Sequence, residues 1–176
     1  AAPKTPKAKA AKPKSATPRK KKAAAAPGSA GIAASACLTG TPSAALTAAC
    51  ELVERLGGVV AARYREPLGG HWVALAVLPI EKVEATPYQR ELSPTHAERL
   101  ATVIPKVGRF LDPIVAVPSG DGFHSPNGMH RLAAMRRLGA QAITALVVPE
   151  PEVAFRILAL NTEKAHNLKD KALEVV

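Results

Sequence analysis

Apolar and polar positions change period several times along this chain, and each change marks an element. Leu46, Cys50, Val53 and Leu56 recur every three or four residues, the spacing of one helical face. Thr41-Pro42 suits the start of that helix, with Thr as N-cap and Pro in the first turn, and Gly57-Gly58 stops it. A Val-rich run over 59–64 and an apolar run over 71–78 flank Glu66-Pro67-Leu68-Gly69-Gly70, which is turn chemistry. That arrangement predicts a β-hairpin. Ser93-Pro94 opens a second helix, with Ala97, Leu100, Val103, Ile104 and Val107 on its apolar side. Pro105 is expected to kink or shorten this helix, and Gly108 to end it.

Further on, Pro113 to Val117 reads as a short buried strand. Ser119-Gly120-Asp121-Gly122 is a tight turn, and Phe123-His124 begins a brief return strand. Ser125-Pro126-Asn127-Gly128 then leads into a helix over 128–138, closed by Gly139 as a left-handed cap. Ala142 to Val148 is a strand, and Pro151 opens a helix that runs to about Lys164. Another helical segment starts at Asn167 or Leu168. The expected class is α/β (α+β): a small mixed sheet with flanking helices.

Composition changes this picture at one end. Residues 1–28 are mostly Ala, Lys and Pro, with nine basic side chains and no acid. Proline interrupts them repeatedly and no large apolar side chain is present, so a disordered tail is expected. The formal charge of +10 sits almost entirely there, and the remainder is nearly neutral. Such cations, Lys20, Lys21 and Lys22 among them, associate with phosphate polymers by counterion release without reading sequence. DNA is the expected partner of this tail. Residues 29–40 are small and Gly-rich, a linker. The expected organisation is 1–40 tail and linker, 41–75 helix-hairpin extension, and 76–176 main domain. Aromatics are only 3% of the chain, so its core must come from Leu, Ile and Val. Cys37 and Cys50 fit no metal pattern and no disulfide framework. No apolar run suits a signal peptide or a membrane span, so a cytoplasmic protein is expected.

The chemistry concentrates where Ser125-Pro126-Asn127-Gly128 meets Met129-His130-Arg131. A strand, a small-residue turn and a helix start present unpaired backbone N–H groups and the positive end of the helix dipole, which suit an anion. Gly128 allows close approach to the backbone. His130 and Arg131 place donors in the first turn, where cations are unfavourable unless an anion is bound. Arg136 and Arg137 lie further along this helix as candidate DNA contacts, and Arg137, seven residues after His130 and on roughly the same face, would extend a basic strip toward phosphate or DNA. His124 is a further candidate to face the pocket, whereas His96 and His166 read as surface residues.

Four blocks in order resemble the N-terminal domain of ParB-type chromosome-partition proteins, in the ParB/sulfiredoxin superfamily. The first is Leu78-Pro79-Ile80-Glu81-Lys82-Val83 with Pro87-Tyr88-Gln89-Arg90. The second is Val107-Gly108-Arg109-Phe110-Leu111-Asp112-Pro113-Ile114-Val115. Gly128-Met129-His130-Arg131-Leu132-Ala133-Ala134 and Leu160-Asn161-Thr162-Glu163-Lys164 are the third and fourth. Residues 1–75 are not covered. The resemblance implies a pocket for CTP with magnesium and closure of two subunits as a clamp on DNA. It implies phosphate contacts from Gly128, His130 and Arg131, beside Asn127. Asn161, Glu163 and Lys164 form a second set, with Glu163 as the carboxylate for the metal, and Gln89 and Arg90 flank the pocket.

The departures also carry information. Met129 stands where the partition proteins have an acid, Ala133 where they have a basic residue, and Leu160 where they have Glu. The helix-turn-helix and dimerisation domains of that family have no counterpart before Val176. Sulfiredoxins place a nucleophilic Cys at the position of Met129, and a thioether cannot replace it, so sulfinic-acid reduction is not expected. The leading expectation is a nucleoid-associated, CTP-dependent DNA-binding protein of partition or regulatory type, with at most slow nucleotide hydrolysis. A small-molecule kinase, with Glu81, Glu84 or Glu163 as base, and a non-catalytic binding module are the alternatives.

Overall fold

The computed structural model describes residues 30–87 and 92–163, with side chains described as far as Ile157. The basic residues 1–28, Gln89, Arg90 and Lys164 lie outside the described residues.

Helix α1 (Ala44–Arg55) starts later than Thr41-Pro42 implies. Ser43 is the N-cap, its Oγ accepting the Leu46 N–H at 3.1 Å. Leu46, Ala49, Cys50, Leu52 and Val53 are buried, the expected amphipathic face. Strands β1 (Val59–Arg65) and β2 (Trp72–Pro79) form the antiparallel hairpin. Glu66 organises its loop, accepting backbone N–H groups of Gly69 at 2.7 Å, Leu68 at 2.8 Å and His71 at 3.1 Å. Residues 31–40, read as linker, run beside this hairpin. The Ile32 N–H reaches the Pro67 carbonyl at 2.8 Å, and the Arg65 N–H reaches that of Cys37 at 2.7 Å.

After a 3-10 turn at Ile80–Lys82, β3 (Val83–Ala85) is too short for any alternation to announce it. Helix α2 (Pro94–Val107) is capped by Ser93 and continues past Pro105, which sits in the last turn and there forgoes one N–H bond. Its apolar side does not bury as the spacing suggests: Val103 and Val107 are 51% and 53% exposed. The reason is placement, since α2 lies chiefly against another helix, α3 (Met129–Arg137), and not on the sheet.

Strands β4 (Ile114–Ser119) and β5 (Gly122–Asn127) precede α3. β5 is longer than expected, because Ser125-Pro126-Asn127 is strand and not turn. The β4–β5 register shifts between Val115 and Val117, and such an irregularity accommodates Pro126, which has no N–H to donate. Strand β6 (Ala142–Val147) and helix α4 (Glu152–Glu163) complete the described chain.

The six strands form one mixed sheet in the order β1-β2-β6-β4-β5-β3, with β4–β6 and β3–β5 parallel. The register aligns Ala74 with Val147, Ala76 with Ala145 and Leu78 with Ile143. Ile114 and Ala116 continue the same rows. All of these are buried, and they form one core with Leu46 and Val53 of α1, Leu132 of α3 and Phe123. The mixed sheet with flanking helices agrees with the expected α/β class, and the hairpin belongs to the same sheet as the later strands. Among the described residues, no helix is long and apolar enough to cross a membrane.

Candidate functional site

The turn between β5 and α3 is built by close packing. Gly128 has φ +120°, and a Cβ added there would fall 2.5 Å from Cγ2 of Ile114, a buried residue at the start of β4. The glycine is therefore required by packing and conformation together, which the reading of it as a phosphate approach did not include. Its carbonyl accepts the first helical bond, from the Leu132 N–H at 2.8 Å, and no side chain caps the helix. Asn127 ends β5 opposite Val115, and its carbonyl accepts the Ser125 hydroxyl at 2.9 Å.

Arg131 folds toward the loop that enters β4. Its Nη1 donates to the carbonyls of Asp112 at 2.8 Å and Pro113 at 2.9 Å, and pairs with Asp112 Oδ1 at 2.7 Å. Nη2 of the same guanidinium lies 3.4 Å from the position of a Cβ on Gly128, beside the helix start. The third block is thus tied to the second through one side chain.

His130 is turned to α2. Its Nε2 accepts the Ser93 N–H at 3.1 Å, and its ring meets His96 edge to face, with centroids 4.8 Å apart. Burial, and then the positive charge of His96, hold His130 below the usual histidine value. The conflict between cations and a helix N-terminus is therefore met in part within the protein. Arg131 has an acid and two carbonyls, and His130 favours its neutral form.

Arg136 and Arg137 make separate contacts. Arg136 Nη2 donates to the carbonyls of Ile80, at 3.3 Å, and Val83, so it holds the first block against α3. Arg137 pairs with Glu98 of α2 at 2.9 Å on the surface. Asn161 and Glu163 lie in the last turn of α4, and their side chains fall outside the described residues. Among the described residues no group of three His, Cys, Asp or Glu side chains could hold a metal ion.

Thr86 went unnoticed in the sequence. It is 4% exposed, its Oγ1 has no hydrogen-bond partner among the described residues, and its backbone N–H reaches the Ser125 carbonyl at 3.4 Å. Nothing in Ala85-Thr86-Pro87 distinguishes this hydroxyl from any loop threonine. Cavities among the described residues include one of about 440 Å³ on α2, lined by Thr95, Glu98, Arg99, Thr102 and Val103, and two others. One of about 290 Å³ is lined by Glu81, Glu84, Asp121 and His124, among others. A larger one of about 520 Å³ lies where Val73, Leu146, Val148 and Val153 meet.

No family model matches this chain, and no curated protein matches it. Part of it is similar to several solved structures. A C-terminally truncated chromosome-partitioning protein ParB from Caulobacter crescentus, complexed with CTP-gamma-S, is 23% identical with a TM-score of 0.43. That match covers 53% of this chain and 52% of that one. A sulfiredoxin from Arabidopsis thaliana is 22% identical with a TM-score of 0.40, covering 47% of this chain and 92% of that one. A free serine kinase in complex with AMP is 20% identical with a TM-score of 0.38, covering 42% and 30%. The chain spans about half the length of the partition protein and under a third of the kinase.

Proposed function

We propose that this chain is a ParB-type nucleotide-binding module that takes CTP, or another nucleoside triphosphate, with magnesium at the start of α3. It associates with DNA through its basic N-terminal residues. The observation that carries the reading is the uncapped helix start at Gly128, with Nη2 of Arg131 beside it. A helix start of this kind offers backbone N–H groups and a positive dipole end to a phosphate. The guanidinium adds a planar donor whose other amine is already anchored, so little side-chain freedom is lost when an anion arrives. Asn161, Glu163 and Lys164 are the second set in this reading, with Glu163 nearest in chemistry to a magnesium ligand. Lys20, Lys21 and Lys22 supply salt-sensitive contacts to DNA phosphates.

The test is calorimetric titration of CTP, ATP and ADP, each with and without magnesium, into the full chain. Binding that prefers CTP, weakens in an Arg131→Ala variant and increases retention on DNA supports the proposal. Phosphate transfer to a small hydroxyl compound would move the assignment to a kinase. Absence of binding by all three nucleotides would reduce the chain to a module without a nucleotide.

A further inference from the structure

Helix α2 meets α3 through contacts of different kinds along its length. Its N-cap, Ser93, sends its own backbone N–H to Nε2 of His130 at 3.1 Å. His96, in the first turn of α2, lies edge to face against the same imidazole, the planes at 89°. Farther along, Glu98 Oε1 pairs with Arg137 at 2.9 Å. Of the α2 side chains, only Ala97 is buried.

An imidazole nitrogen that accepts an N–H carries no proton. Protonation turns Nε2 into a donor facing another donor, so attraction becomes repulsion. We propose that the Ser93–His130 hydrogen bond is a proton-sensitive latch. It clamps the start of α2 to the start of α3 at neutral pH and releases it in mild acid. The latch follows from the protein alone and does not require the nucleotide reading.

The charged groups around it favour this behaviour. Among the described residues, Glu98 and Asp112 are the carboxylates that bond to α3, and they are taken by Arg137 and Arg131. Arg136 is turned to the carbonyls of Ile80 and Val83. The ring that meets His130 is a second histidine, and both sit in first turns, at positive dipole ends. Each influence resists the imidazolium, and His130 is correspondingly held below its usual value. With a depressed folded value the latch is intact above pH ~6.5 and is lost as pH falls below it. After release α2 keeps Ala97, the half-buried Leu100, Ala101 and Ile104, and an ion pair whose side chains are 59% and 61% exposed, so the helix stays docked while its first turn loosens.

Amide hydrogen exchange on the full chain between pH 8 and pH 5, expressed as protection factors, tests this alongside an NMR titration of the imidazole signals. Protection in the first half of α2 is expected to fall about five- to tenfold, the loss of one hydrogen bond. Its midpoint follows the titration of His130, while amides of β2 and β6 stay protected. His130→Gln, whose amide oxygen accepts but does not titrate, abolishes the step. His96→Gln keeps the step and moves its midpoint upward. A flat profile in the native chain, or a step that survives in His130→Gln, overturns the proposal. If that variant does not fold, a native midpoint that departs from the His130 titration overturns it equally.

Discussion

Replacing Arg131 by Met removes the guanidinium but keeps most of the apolar stem, so the change isolates the polar contacts. In the structure one amine serves two backbone carbonyls at 2.8 and 2.9 Å and the Asp112 carboxylate at 2.7 Å. The Arg131 side chain is 18% exposed and that of Asp112 79% exposed. The two carbonyl bonds, from a charged and largely enclosed donor, contribute about 1–1.5 kcal/mol each. The carboxylate is solvated, and its pairing adds less than ~1 kcal/mol. Arg131→Met is therefore expected to cost about 2–3 kcal/mol, and Asp112→Ala less than ~1 kcal/mol. In a domain of this size the first loss lowers Tm by roughly 5–10 °C. Urea denaturation of the three proteins, followed by far-UV circular dichroism, measures both numbers. Equal losses in the two variants would refute the reasoning, since the ion pair and not the carbonyls would then tie α3 to the β4 loop.

Gly128→Ala is expected to destabilise by about 2–4 kcal/mol, because the methyl meets Ile114 Cγ2 at 2.5 Å at a φ of +120°. In a double-mutant cycle with Ile114→Ala, which removes that Cγ2, Gly128→Ala should cost less than in the native background in the same denaturation assay, and an unchanged cost would show that backbone conformation alone is responsible. Thr86→Val replaces a buried hydroxyl without a partner among the described residues by a methyl of similar shape, and should stabilise the chain by about 1 kcal/mol. A lower denaturation midpoint would show that the hydroxyl is bonded. Glu66 is held below the usual glutamate range by the His71 N–H first, with those of Leu68 and Gly69. Its contribution is complete above the unfolded value and lost as pH falls through the folded one. Glu66→Gln should therefore flatten that part of the acid side of the stability curve between about pH 5 and pH 2. An unchanged acid limb would count against the loop as its origin.

Where one residue's neighbours along the chain decide its conformation, the amino-acid order was enough. The α1 face, the β1–β2 hairpin, the Gly108 and Gly139 stops and the helix after Gly128 all follow from periodicity and turn chemistry. The expected class, a small mixed sheet with flanking helices, is the one the structure has. Two local signals misled. Thr41 and Ser43 are both competent caps, and only the reach from the Ser43 Oγ to the Leu46 N–H separates them. Ser125-Pro126-Asn127 carries turn residues yet is strand, because β4 and β3 pair with it from both sides.

The candidate site divides the same way. That the turn before α3 carries Gly, His and Arg is plain in the linear order, and so is its suitability for an anion. What those side chains hold was settled only by contacts between residues 18 to 56 positions apart: Arg131 with the β4 loop, His130 with Ser93, Arg136 with Ile80 and Val83. The exposed side of α2 belongs here too, since its spacing announces an apolar stripe but not which surface will meet it. Periodicity records how a segment divides its own faces. Which face finds a partner depends on how distant segments pack once the sheet order is set, and that information is distributed over the whole chain.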